Sequence, residues 1–87
     1  MYVQNKILKP GKTKTKFPVI LGKKCKIFIK HDYIITGFIY SIDKLCNFLV
    51  YNSYISRINK KNNEPTYSYL RFIRGETINY IMILNQL

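Results

Sequence analysis

Acidic residues are scarce in this chain: four Asp and Glu stand against fifteen Lys and Arg in 87 residues, a formal net charge of +11. The four, Asp32, Asp43, Glu64 and Glu76, are widely spaced, and no His, Cys or Ser gathers around them. That excludes a carboxylate pair or a nucleophile triad as a catalytic centre. Histidine occurs once, at His31 in a polar turn, and cysteine twice, at Cys25 and Cys46, without the close spacing of a zinc site. The two thiols read as buried and reduced. No catalytic residue, metal or cofactor is expected, and the chain is read as a non-enzyme. Long apolar runs are missing as well: nothing approaches the roughly 18 to 20 residues of a membrane span. The Met1 end has no apolar stretch of the signal-peptide kind. A soluble, intracellular protein without membrane contact is the expectation.

What is present is a small folding unit. Hydrophobic residues make up 47% of the chain and aromatics 15%, too many for a disordered segment at this net charge. The length allows one domain and one core. The lysines are unevenly laid out, with nine in residues 1–30 and no acid among them. A basic arm of this kind has a polyanion as its natural partner.

Residues 1–20, with Pro10, Gly11, Pro18 and the Lys-Thr alternation from Lys12 to Lys16, have no clear helical or strand period. They are read as a basic N-terminal tail carrying at most one short helical turn before Gly22. From Lys24 the period becomes two, with Cys25, Ile27 and Ile29 on one face and Lys24, Lys26 and Lys30 on the other. A turn at His31-Asp32 leads to a second strand, Tyr33 to Ile42, in which Gly37 marks a bend or bulge. A loop from Asp43 to Asn47 precedes a third strand, Phe48 to Ile58, whose apolar length argues for burial. A polar linker over 59–65 is followed by Thr66 to Ile73 and Thr77 to Leu84, separated by the tight turn Arg74-Gly75-Glu76. Five short strands on successive turns imply an all-β, small, strongly bent antiparallel barrel of SH3-like type. Its last two strands are apolar enough that pairing each edge with a neighbouring subunit, as in a ring, is the natural way to cover them.

Two segments together resemble the Sm and LSm family. The first runs from Leu21-Gly22-Lys23-Lys24-Cys25-Lys26-Ile27 through Gly37 to Ile42-Asp43-Lys44-Leu45-Cys46-Asn47-Phe48 and is similar to the Sm1 motif. The second, Phe72-Ile73-Arg74-Gly75-Glu76-Thr77-Ile78, is similar to Sm2. The resemblance places an Sm-like domain over 21–87, with Sm1 at about 21–53, a variable loop at about 59–65 and Sm2 at about 66–84. It implies that Asn47 bonds a base edge, Arg74 stacks on the base, Gly75 allows close backbone approach and Asp43 steadies the loop carrying Asn47. A guanidinium plane and an amide that both donates and accepts do suit an unpaired nucleotide. Without RNA the same residues have plainer readings: a solvated turn residue for Arg74, a loop-capping amide for Asn47 and structural loop bonding for Asp43. Leu45 departs from the family, which places a flat side chain there to complete the base sandwich. Either the nucleotide is held less firmly or Leu45 is a covered loop residue.

The resemblance implies an RNA-binding subunit of a heteroheptameric ring that grips single-stranded, uridine-rich RNA. Its partners would be a small nuclear RNA and other Sm or LSm subunits, joined through strand edges. A nuclear place in the core of a small nuclear ribonucleoprotein acting in pre-mRNA splicing, close to the D-class Sm proteins, is slightly favoured. An LSm ring in RNA decay or processing is the nearest alternative. An SH3-like ribosomal barrel coating structured RNA is the more distant one.

Overall fold

The computed structural model describes residues 2–8, 20–58 and 64–86. Six strands form one antiparallel sheet: β1 (Tyr2–Leu8), β2 (Lys24–Ile29), β3 (Tyr33–Ile42), β4 (Phe48–Arg57), β5 (Thr66–Ile73) and β6 (Ile78–Gln86), in the order β1-β6-β2-β3-β4-β5. The five strands from β2 to β6 are those expected from the sequence, and they make a strongly bent all-β barrel. Its connections require the bend. A flat sheet with strands about 4.8 Å apart would separate β5 from β6 by roughly 19 Å. Yet only Arg74 to Thr77 joins them, and that linker is coiled into a turn in which the Thr77 N–H donates to the Arg74 carbonyl at 3.0 Å.

The curvature enters at bulges. Pairing of β3 with β4 slips between Thr36 and Phe38 and again between Ile39 and Ser41, which sharpens twist and bends the strand. Gly37 sits in the first slip because β4 crosses close beneath it: a Cβ there would lie 2.8 Å from the Ser53 Cβ and 3.2 Å from the Tyr51 carbonyl. Ser53 is buried, donates to the Ser68 carbonyl and accepts from Arg71 Nε at 3.0 Å. The β2–β3 turn holds His31 and Asp32 at φ 67° and 64°, a region short polar side chains tolerate better than bulky ones.

The core is made of isoleucines from β2, β3, β5 and β6, among them Ile27, Ile35, Ile73, Ile78, Ile81 and Ile83, closed by Cys25, Ile20 and the β4 residues Phe48 and Val50. Alternation on β2 follows expectation, with Cys25 and Ile27 buried and Lys24 and Lys26 partly exposed between them. Burial raises the Cys25 thiol to about 12, so it remains protonated and inert at neutral pH. Cys46 is only partly buried, and both thiols are free.

Besides the partly buried Cys46, the structure departs from the sequence reading in β4 and in the N-terminal residues. The apolar length of β4 argues for burial, but the strand is half-buried: Phe48, Val50 and Ser53 are buried while Asn52 and Tyr54 face solvent. Residues 1–20 were read as a tail, whereas Tyr2–Leu8 is a strand laid along β6, from Tyr2↔Gln86 to Leu8↔Ile81. A register slip between Gln4 and Lys6 breaks the two-residue period that would have marked it. Ile20 is also core, and the Gly22 N–H and Lys23 carbonyl bond Ile39. The stretch 9–19, which includes Pro18 and most of the expected helical turn, lies outside the described residues, as do positions 59–63 of the variable loop.

Candidate nucleic-acid interface

The pair Ile42↔Phe48 closes the β3–β4 loop, and the loop is organised from within. Asp43 Oδ1 accepts from the backbone N–H groups of Leu45 at 2.8 Å and Asn47 at 2.9 Å, while Oδ2 accepts from Asn47 Nδ2 at 3.0 Å. The Asp43 N–H donates to the Asn47 carbonyl and the Cys46 N–H to the Asp43 carbonyl, both at 3.0 Å. Cys46 takes φ 64° to complete the turn. These donors, the Asn47 N–H foremost, hold the Asp43 carboxyl below its ordinary value.

A second loop docks on the first. Asn47 Oδ1 accepts from the Gly75 N–H at 2.8 Å, a bond between residues 28 apart in sequence. Gly75 is buried, and a Cβ there would overlap the Cys46 carbonyl and lie 3.0 Å from the Leu45 carbonyl. A hydrogen at that position is what lets the two loops touch. The Asn47 amide can make four hydrogen bonds, two given and two accepted. Two are spent on Asp43 and Gly75, which clamps the amide and leaves it one N–H and one lone pair of further bonding capacity.

Asn47 lines an open cavity of about 460 Å³ together with Leu45, Phe72, Arg74 and Glu76, within the size range of small-ligand sites. Of the five residues singled out in the sequence, Leu45, Asn47 and Arg74 meet here, and Asp43 and Gly75 hold Asn47 from behind. Leu45 is not a covered loop residue, being 78% exposed at the rim. Arg74 pairs with Glu76 at 2.9 Å, both side chains about two-thirds exposed. Phe72 and Glu76 were missed as site residues. Phe72 stands in the Sm2-like segment without a role of its own, although two-residue alternation from Phe72 to Arg74 places both on one side of the chain. It supplies a flat surface, 59% exposed, in a cavity where Leu45 offers none. By contrast, Arg71 is absorbed by the barrel, its guanidinium donating to Ser53 Oγ and the Thr66 carbonyl.

Among the described residues no group of three or more His, Cys, Asp and Glu is placed to hold a metal ion, and no helix is long and apolar enough to cross a membrane. No family model matches the sequence, and no curated protein matches it. Solved structures do match. A heptameric archaeal Sm protein superposes with a TM-score of 0.66 at 18% identity, covering 78% of this chain and 94% of that one. The fold is the Sm fold. The Sm protein of Pyrococcus abyssii, solved in complex with a uridine heptamer, matches with a TM-score of 0.65 at 16% identity over 80% of this chain and 99% of that one. A chain of the NatC complex bound to CoA also superposes, with a TM-score of 0.68 at 17% identity over 82% of this chain and 87% of that one.

Proposed function

We propose that this chain is an Sm-like ring subunit that holds one nucleotide of single-stranded, uridine-rich RNA between its β3–β4 and β5–β6 loops. The observation that carries the reading is the clamped Asn47 amide, which retains a donor and an acceptor beyond those given to Asp43 and Gly75 and lines one cavity with a guanidinium and a phenyl ring. Uracil presents a carbonyl acceptor next to an N–H donor, so the amide's remaining donor and acceptor can serve it. Arg74 and Phe72 supply planes on which the base can stack, an interaction worth about 1 to 3 kcal/mol per base. Asp43 and Gly75 then act as positioning residues, and the net charge of +11 supplies attraction to phosphate. The solved Pyrococcus abyssii complex with uridine heptamer supports the choice of ligand. Competition between oligouridine and duplex RNA at one salt concentration tests it. Oligouridine is expected to win, and stronger binding to the duplex would overturn the pocket in favour of a barrel that coats structured RNA.

At a finer level we propose a subunit of a heteroheptamer bound to a small nuclear RNA, in the nucleus, within the core of a splicing ribonucleoprotein. Its support is the Sm1-like and Sm2-like segments, and an LSm ring in RNA decay is the alternative. Native mass spectrometry of the complex isolated from its cell is the test. Seven different chains are expected, and seven copies of one chain would contradict it. A second reading, an Sm-fold adaptor inside a larger protein complex, draws support from the β6 edge, which β1 occupies, and from the likeness to a NatC chain. It requires that oligouridine bind no better than duplex.

A further inference from the structure

A ring built by strand addition needs two open edges on each subunit, one to give and one to receive. Here they are unequal. The outer side of β5 is open among the described residues, since β5 pairs with β4 alone, and it displays Tyr69, Leu70 and Phe72 to solvent. The other end of the barrel, β6, is paired on both sides. Ile81 faces Ile27 across one side and Leu8 across the other, Met82 faces Lys26 and Ile7, and Ile83 faces Cys25 and Lys6. The backbone groups of residues 81–83 are thereby committed within one chain.

We infer that β1 is an intramolecular stand-in for a neighbouring subunit's β5, capping the receiving edge of β6 in the single chain and leaving it when a second copy of this chain is added. This rests on the ring reading above but not on its mixed composition, since the β5 of any subunit, a second copy of this chain included, presents a strand that can replace β1. The two strands are of similar length, seven residues in β1 and eight in β5, so one can replace the other along β6. They are not equal as strands. The β5 sequence Thr-Tyr-Ser-Tyr-Leu-Arg-Phe-Ile is rich in aromatic and β-branched residues, whereas β1 includes Gln4, Asn5 and Lys6, which suit a pleated, half-buried surface poorly. The slip between Gln4 and Lys6 costs β1 part of its ladder. What favours β1 is tethering, since an attached strand competes at an effective concentration in the millimolar range. Replacing it with a better strand therefore requires a high subunit concentration, or RNA that gathers several subunits on one strand.

Sedimentation velocity over a concentration series, with and without oligouridine, tests this on the full chain and a Lys6→Pro/Ile7→Pro variant. Hydrogen bonding alternates along an antiparallel pair, so the two prolines remove at least one donor directed at β6. The variant is expected to form rings at a concentration at least ten-fold lower than the unaltered chain. A second form guards against misfolding: Ile7→Cys with Met82→Cys in a Cys46→Ser background, oxidised to lock β1 onto β6. The locked chain is expected to stay monomeric and to assemble once reduced. Equal assembly midpoints for the unaltered and proline chains, or rings formed by the oxidised chain, overturn the inference while leaving the ring standing. If no form assembles with oligouridine at any concentration, β6 receives no second copy of this chain and the inference is overturned, while the mixed ring is judged separately by native mass spectrometry.

Discussion

Asn47 accepts a hydrogen bond from the backbone of Gly75 at 2.8 Å, and this single contact joins the loop after β3 to the loop after β5. It makes a composite site from two segments that are far apart in sequence. Each then has a measurable role.

Gly75→Ala tests the close approach of the loops. The added methyl would overlap the Cys46 carbonyl, so the loops must separate and the Asn47–Gly75 bond lengthen. A loss of roughly 1 to 3 kcal/mol in denaturant unfolding is expected, together with loss of oligouridine binding. Unchanged stability would show that the loops can part without cost.

Arg74→Ala and Glu76→Gln are expected to move RNA affinity in opposite directions. Removing Arg74 takes away a stacking plane and a charge, weakening binding and reducing the salt slope by about one. Removing the Glu76 charge frees Arg74 from its carboxylate partner and strengthens binding at low salt. Neither should alter folding, because exposed pairs contribute only about 0 to 1 kcal/mol. Titration of labelled oligouridine at several salt concentrations reads both effects, and a shift in the same direction would exclude the pairing as a modulator.

Phe72→Ala is expected to weaken oligouridine binding by about 1 to 3 kcal/mol, the range for a lost base stack. Leu45→Tyr should tighten it by adding a flat side chain at the opposite rim. Fluorescence anisotropy distinguishes these outcomes, and a neutral Phe72→Ala would remove the ring from the stacking surface.

Asp43 gives the site a defined pH window. Its carboxyl is held below the ordinary value by N–H donors, so the loop order it confers is complete above about pH 4, the usual Asp range. That order is lost only as pH falls through the lowered value. Oligouridine binding should therefore be flat between about pH 7 and pH 5 as far as Asp43 is concerned, and decline in stronger acid. Asp43→Asn should weaken binding at neutral pH and remove the acid decline. A decline already complete at about pH 5 would assign the titration to another group.

Much of the barrel was legible because its strands obey a local rule. Cys25 and Ile27 alternate with lysines, and β3 and β5 begin and end where turn chemistry brackets them, at Tyr33–Ile42 and Thr66–Ile73. β1 was not legible, since its bulge disturbs the period and its pairing depends on the backbone of a strand more than seventy residues away. The site was legible in its halves, through Asp43, Asn47, Arg74 and Gly75. What joins them was not. The Asn47–Gly75 bond and the lining role of Phe72 arise only when the β5–β6 turn docks on the β3–β4 loop, and no local pattern records that docking. Leu45 illustrates the same limit: its departure from the family was visible, but its exposure at the rim depends on how Asp43 folds the loop beneath it.

The account stands most directly on whether Asn47 reads a base. Competition of oligouridine against oligocytidine and oligoadenosine, on the unaltered protein and on Asn47→Ala, measures this. The expected result is a clear uridine preference that the substitution erases, with oligouridine affinity falling by roughly 1 to 3 kcal/mol while circular dichroism still reports the folded barrel. A uridine preference that survives Asn47→Ala, or no preference in the unaltered protein, would contradict it.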